Sequence, residues 1–295
     1  MAPQPPPFAS KEYWENRFQQ NEQAFDWLLP ASCMDPQIIE ALSVHPIHTA
    51  SILHIGSGTS LLSFHLRGHV NDPRQIHNVD FSSKAIDWGL KNEMAMFRSD
   101  QRDGIQEAGN MIHESSMSPS DSMMRWSQVS LLSQSSILSS CPSPSYTAIV
   151  DKSTVDAIAC GDDLPISWPS EQGRERDDSC SPNQGKGQVQ KSYLVHPVCI
   201  LALHLALVAV PGCRWIALSY SSERFPFLDE HGLVEETVPS ELMKQGYPNP
   251  AQYWRLLRKE AVDALEDTSS GPTHRPRISY WLYVLERTQD SLQPW

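Results

Sequence analysis

The stretch Ser51-Ile-Leu-His-Ile-Gly-Ser-Gly-Thr-Ser60 decides how the rest of the chain is read. A short, mostly apolar run, Ile52 to Ile55, breaks into a Gly-x-Gly turn, and the apolar segment Leu61 to Leu66 follows. This is the outline of a first β-strand, a tight turn and a helix, the junction where nucleotide-like cofactors dock in doubly wound α/β folds. A Gly-x-Gly pair alone is a weak signal, so its meaning depends on what the flanking chain supplies.

Downstream, Gln75 to Val79 reads as a second strand that ends in Asp80, 22 positions beyond Gly58. A carboxylate about 20 residues past the glycine turn lies where such folds hydrogen-bond ribose hydroxyls. Asp80 is also read as the N-cap of a helix over Lys84 to Asn92, and both roles fit one strand-to-helix junction. Tyr146 to Val150 is an apolar strand ending at Asp151-Lys152. Ser153 to Cys160 then starts a helix, with Ser153 or Thr154 near its cap and Asp156 in its first turn. Val195 to Val210 reads as a buried helix, with Pro197 in its first turn and Pro211-Gly212 as its stop. Arg214 to Tyr220, Glu230 to Val238 and Ile278 to Glu286 read as strands, and Pro250 to Leu265 as a helix between the last two.

Upstream, Lys11 to Gln23 and Pro36 to Leu42 read as helices. Tyr13, Trp14, Arg17 and Phe18 fall at helical spacing, and Phe25-Asp-Trp27 follows; taken alone, these rings read as core anchors. Met1 to Ser10 is expected to be a disordered or extended tail, because Pro5-Pro6-Pro7 cannot enter a helix interior. Residues 288–295 form a C-terminal tail. Strands alternating with helices and closed by a strand pair give one α/β domain over residues 11–287. Two Ser-, Pro- and Gly-rich insertions interrupt it, at about 100–123 and 161–192 by the composition argument. Met124 to Leu132 is a short ordered piece at the end of the first.

A formal charge of -12 over 295 residues argues against a broad nucleic-acid footprint and fits a basic partner. The proline-rich start has no apolar signal region, and Val198 to Val210 is too short to span a bilayer. The six cysteines form no C-x-x-C pair, so reduced thiols in a cytoplasmic protein are expected, and no metal site. His65 and His69 have H-x-x-x-H spacing, but two ligands at helical spacing still need a third. His204 reads as a core histidine.

With its elements placed, the chain resembles the class I S-adenosylmethionine-dependent methyltransferases. Within them it is most similar to the methyltransferase-like protein lysine methyltransferases of translation elongation factor 1A. The resemblance lies in Tyr13-Trp-Glu-Asn-Arg17-Phe18 with Phe25-Asp-Trp27, in Ile52 to Ser60, and in Asn78-Val-Asp80-Phe81-Ser-Ser83. It continues in Ile149-Val-Asp151-Lys152-Ser-Thr154-Val-Asp156-Ala157, in Val208-Ala-Val-Pro211-Gly212-Cys-Arg-Trp215, and in Tyr280-Trp-Leu-Tyr-Val-Leu285. It implies a Rossmann-like, doubly wound, mostly parallel seven-stranded sheet that binds S-adenosyl-L-methionine. It also implies roles. Gly56, Ser57 and Gly58 would cradle the methionine part, where any Cβ would intrude, and Asp80 would take the ribose with Phe81 against the adenine. Val129-Ser130 would lie at the adenine amino group, and Trp14, Phe18 and Trp27 would close over the cofactor. Lys152 would contact the cofactor or line the acceptor mouth, and Asp151 is placed with it at the cofactor. Asp151 and Tyr220, at carboxyl ends of strands, are also candidates for lining the acceptor site, and a structural role for Asp151 stays open. The implied acceptor is a lysine of a protein, such as an elongation factor; a small-molecule acceptor and a non-catalytic binding role stay open. No single catalytic acid or base is assigned. The chain departs from the family pattern at Ser130, where relatives carry an aspartate, at Ser60, where a third glycine is missing, and at His54.

Overall fold

In a computed structural model the described residues are 5–21, 23–46, 49–103, 123–141, 144–168, 191–228, 237–264 and 279–295. The expected first strand, β1 (Ile52–Ile55), is buried along its whole length. It pairs in parallel with β2 (Ile76–Asp80) on one side and β4 (Tyr146–Lys152) on the other. Outside β2 lies β3 (Arg125–Gln128), and outside β4 lies β7 (Ala209–Ser219), both parallel. β9 (Ser279–Arg287) runs antiparallel to β7, and β8 (Trp254–Asp263) antiparallel to β9. The sheet order is β3-β2-β1-β4-β7-β9-β8, a seven-stranded, mostly parallel, doubly wound sheet as expected. β5 (Leu164–Ser167) and β6 (Ser192–Val195) form a separate antiparallel pair.

Alternate side chains along the strands build two cores. Leu53, Ile55, Ile149, Trp215 and Tyr283 face one way, and α7 (Pro197–Val208) covers them with all 12 of its residues buried. Ile52, Ile76, Ala148, Val150 and Ile216 face the other way, against Ile38 of α2 (Asp35–Ser43) and Leu62 and Leu66 of α3 (Leu62–Leu66). Cover on both faces is why the central strands read as nearly continuous apolar runs. Each fully buried Leu or Ile contributes about 1.5–3 kcal/mol. The remaining helices are α1 (Lys11–Gln20), α4 (Ser83–Asp103), α5 (Gln134–Ser140), α6 (Thr154–Ala159), α8 (Ser240–Lys244) and α9 (Pro250–Tyr253).

Several expectations are corrected. The helix expected over Pro250 to Leu265 is one turn, α9, followed by the edge strand β8. Its Leu, Arg, Lys, Glu and Ala residues favour a helix in isolation, but pairing with β9 from Trp254 to Asp263 overrides that preference. Alternating exposure and exposed charges suit an outer strand. The buried helix ends at Val208, and Ala209 to Cys213 belong to β7. Pro211 and Gly212, at φ +83°, coincide with a register shift against β4. α5 follows the ordered piece that ends at Leu132, in a stretch for which the sequence marks no element; the Ser133 side chain caps it by accepting from the Ser136 N–H. The helix after Asp80 continues to Asp103, and β5 and β6 occupy the two ends of the second insertion. The bulk of both insertions, 104–122 and 169–190, lies outside the described residues, as does most of the strand expected at Glu230 to Val238. The described ends of the chain are packed: the Phe8 carbonyl accepts from Trp14 Nε1 at 2.6 Å, and the Trp295 ring stacks on His204.

Candidate functional site

The strand order reverses between β1 and β4: β2 and β3 extend one way, β7, β9 and β8 the other. The crevice outside the carboxyl ends of the strands at such a switch point is where doubly wound sheets bind ligands. A cavity of about 1120 Å³ opens there.

Its floor is the turn after β1. Gly56 and Gly58 have φ of +58° and +51°. A Cβ on Gly56 would lie 2.1 Å from Thr154 Oγ1, whose hydroxyl donates to the Ile55 carbonyl at 2.9 Å. Crowding by α6 therefore imposes this glycine by itself, a second reason beside the close approach expected from the sequence. A Cβ on Gly58 would meet Phe18 Cζ at 3.5 Å, an ordinary contact, so positive φ is what demands glycine there. Ser57 is buried, lines the cavity, and its hydroxyl lacks a hydrogen-bond partner among the described residues.

Asp80 lies beside the turn at the tip of β2. Its Oδ2 accepts from the Gly58 N–H at 2.9 Å and its Oδ1 from the Ser82 N–H at 2.8 Å. The helix cap is Ser82, whose hydroxyl accepts from the Ala85 N–H, so Asp80 lies two residues before the N-cap rather than at it, which corrects that expectation. Burial pushes the Asp80 carboxyl up to about 6, against the pull of the Ser82 and Gly58 N–H groups. Two N–H bonds leave lone pairs free on both oxygens. Phe81, Val129 and Ser130 line the same wall. The Val129 N–H donates to the Asp80 carbonyl at 2.8 Å, which fixes this corner, and the Ser130 N–H is taken by Ser136 Oγ.

Trp14, Phe18 and Trp27 form the opposite wall. Trp14 stands 5.5 Å from Phe18 and 6.0 Å from Trp27, and none of the three belongs to either core. They line the cavity, so the core-anchor reading is set aside. Phe8, expected in a free tail, joins them 5.7 Å from Trp27. The Arg17 guanidinium packs 4.5 Å from the Phe25 ring centroid on this segment.

At the tip of β4 the two adjacent candidates separate. Lys152 lines the cavity, is almost fully buried, and donates from Nζ to Asp26 Oδ1 at 2.8 Å. Burial alone would raise the Asp26 carboxyl, but the bonds from Lys152 and Ser60 hold it below the usual range. Asp151 does not line the cavity. It is fully buried, and its carboxylate accepts from the Thr154 and Val155 N–H groups at the start of α6. The expectation that Asp151 contacts cofactor or acceptor is therefore corrected: it caps a helix. Ser153, at φ +68°, makes no side-chain cap bond. Burial, then the nearby Asp156 charge, pushes the Asp151 carboxyl up to about 7.

Tyr220 lies on the rim, 60% exposed and 5.8 Å from the Tyr280 ring. Asp156 and Arg224 pair beside it at 2.7 Å. Sequence reading missed Thr154, Arg224 and Tyr280 as wall residues because their contacts join segments distant in sequence. His54 carries no charge into the site: burial lowers it to about 4, and Nδ1 faces Ser63 and Asn78. Away from the cavity, Asp35, His65 and His69 bring three ligand atoms together.

No protein-family model matches the chain. Methyltransferase srdJ of Neurospora crassa is 36% identical over 171 residues, covering 56% of this chain and 60% of that protein. The chain thus spans about three-fifths of the length of the curated relative it matches. Among solved structures, the magnesium protoporphyrin IX methyltransferase of Synechocystis PCC 6803, with bound S-adenosylmethionine, is 10% identical at a TM-score of 0.44. That match covers 98% of this chain and 100% of the other. The N-methyltransferase NodS of Bradyrhizobium japonicum WM9, in complex with S-adenosyl-L-homocysteine, is 10% identical at a TM-score of 0.41, covering 94% and 99%.

Proposed function

We propose that this chain is an S-adenosylmethionine-dependent methyltransferase. One observation carries the reading: at the switch point of a doubly wound sheet, the glycine turn is bonded directly to the Asp80 carboxylate, Gly58 N–H to Oδ2 at 2.9 Å, beneath an aromatic wall. The 36% identical methyltransferase of Neurospora crassa supports it. When bound, S-adenosylmethionine supplies a methyl group already activated by a sulfonium. The chain's own task is to bind, orient and exclude water.

Asp80 would accept from the ribose hydroxyls with the lone pairs its N–H bonds leave free. Phe81 and Val129 would hold the adenine between apolar surfaces, and Ser130 would face its amino group. The open Ser57 hydroxyl and the turn's backbone would meet the methionine end. Trp14, Phe18 and Trp27 would exclude water from this face of the cofactor. The acceptor would enter over the rim at Tyr220 and Tyr280.

The acceptor we favour is a lysine of a protein, such as an elongation factor. This rests on the resemblance and on the chain's charge of -12, which suits a basic partner. A small-molecule acceptor is a second reading, which the cavity favours: about 1120 Å³ exceeds the roughly 300–1,000 Å³ of a typical single-ligand pocket.

Calorimetric titration with S-adenosylmethionine tests the cofactor. Saturable heat in the wild type that Asp80→Ala weakens at least tenfold is expected; no heat in either would sink the enzymatic reading and leave a binding role. Methyl-labelled cofactor with a cell lysate then separates the acceptors. Label confined to small molecules would reject the lysine reading.

A further inference from the structure

His65 and His69 lie one helical turn apart, and the fold supplies the third ligand their spacing lacks. Asp35 opens α2, 30 residues before His65, and both imidazoles converge on one of its oxygens. His65 Nε2 is 2.6 Å and His69 Nε2 3.0 Å from Asp35 Oδ1, with ring centroids 5.3 Å apart. Neither histidine is buried in the core, and all three side chains are half-buried at the surface, so an ion and a water can reach them.

We propose that Asp35, His65 and His69 form a binding site for a zinc-class divalent cation. Two imidazole nitrogens and one carboxylate oxygen are a borderline donor set of the kind that takes Zn²⁺ with water as fourth ligand. Zn–N and Zn–O bonds near 2.0–2.1 Å in a tetrahedron put ligand atoms roughly 3.3 Å apart. Reaching that spacing opens the present N···O distances by less than about 1 Å, which side-chain rotation supplies. Each imidazole stays neutral: its ring proton moves by solvent exchange to Nδ1, and Nε2 gives its lone pair to the metal. One carboxylate leaves the zinc site with a net charge of +1, less costly at a half-buried position than a neutral-ligand site of +2.

None of the three residues lines the cofactor cavity, so this ion takes no part in methyl transfer. Its place is structural. It fastens the start of α2, which follows the aromatic segment at Phe25 to Trp27, to the end of α3, which follows the glycine turn. The aromatic segment and the glycine turn, which do line the cavity, would be tied to each other from outside through these helices.

Thermal melts of the full chain with and without ZnCl₂, in chelator-treated buffer and without cofactor, test this independently of the proposed activity. At a hundredfold excess over Kd, zinc should raise Tm by about 5 °C or more in the wild type. The shift should vanish in His69→Ala and in Asp35→Asn. His69→Gln, which keeps a hydrogen-bond donor toward Asp35, guards against simple misfolding: it should melt near the metal-free wild type and gain nothing from zinc. Equal shifts in wild type and His69→Gln would assign the zinc to other groups, such as the free thiols, and overturn the site. No shift in either would leave the triad as hydrogen bonds alone and overturn it as well.

Discussion

Replacing Gly56 by Ala separates two reasons for a glycine at the floor of the site. The new Cβ would fall 2.1 Å from Thr154 Oγ1, 2.5 Å from its Cγ2 and 2.8 Å from its Cβ. Thr154 would have to turn away, breaking its bond to the Ile55 carbonyl at 2.9 Å. That loss costs about 1 kcal/mol. Holding an alanine at φ +58° costs roughly 1–2 kcal/mol. Residual overpacking at this buried junction adds about 1–3 kcal/mol. The sum is about 3–6 kcal/mol against a total stability of roughly 5–15 kcal/mol, so urea denaturation should show a large fall in midpoint at constant slope. Thr154→Ala on its own should cost about 1–2 kcal/mol. In the Gly56→Ala background it removes the two closest atoms, so the double variant should be more stable than Gly56→Ala alone, with strong non-additivity. A Gly56→Ala protein within about 0.5 kcal/mol of wild type that loses only cofactor affinity would refute this reasoning and restore the cofactor as the cause.

Cofactor affinity should depend on pH through Asp80, whose carboxyl lies near 6. Ribose hydroxyls need the ionised form, so Kd should be flat above about pH 7 and rise about tenfold per unit below pH 6, and an Asp80→Asn titration should be flat. Asp151 predicts a pH effect on stability. Its folded value near 7 lies above the unfolded value, so between about pH 4 and 7 the folded state binds more protons and stability falls as pH rises. Asp151→Asn should flatten that slope in urea melts across this range, whereas an unchanged slope would remove Asp151 as its source. Lys152→Met leaves the half-buried Asp26 with its Ser60 bond but without its cation. About 1–2 kcal/mol of stability should go, and cofactor Kd should rise as the Phe25 to Trp27 segment loosens; unchanged calorimetric affinity would detach that segment from the site.

The parts of the fold that sequence reading captured are those whose signal is local. Ile52 to Ile55, Tyr146 to Lys152 and Pro197 to Val208 are buried from every side, so their composition alone marks them. The Gly56 and Gly58 turn and the Asp80 tip announce themselves through backbone chemistry that few other residues permit. Where pairing decides the structure, the same reading failed. Trp254 to Asp263 carries helix-forming residues and becomes a strand only because β9 offers an edge. Asp151 and Lys152 are neighbours in sequence and look equally placed, yet successive residues at the end of a strand point to opposite sides. One side chain turned under α6 to cap it and the other into the cavity. Asp35 has no sequence link to His65 and His69, and only the packing of α2 against α3 brings them together.

Ser60 shows how a departure from a motif can serve the site. A third glycine there would allow a closer helix-to-strand approach, as a pyrophosphate-binding turn requires. Here the Ser60 hydroxyl donates to Asp26 Oδ1, the oxygen that also receives Lys152 Nζ at 2.8 Å, and it accepts from the Leu62 N–H at 3.1 Å. The Phe25 N–H closes the same corner on the Thr59 carbonyl at 3.1 Å. One serine thus joins the glycine turn after β1, the start of α3, the aromatic segment and the tip of β4. A glycine would take the Ser60 hydroxyl away from Asp26, and the aromatic wall would lose one of the polar bonds that tie it to the sheet. The residue that makes the turn look incomplete as a phosphate loop is the one that anchors the wall over the cavity.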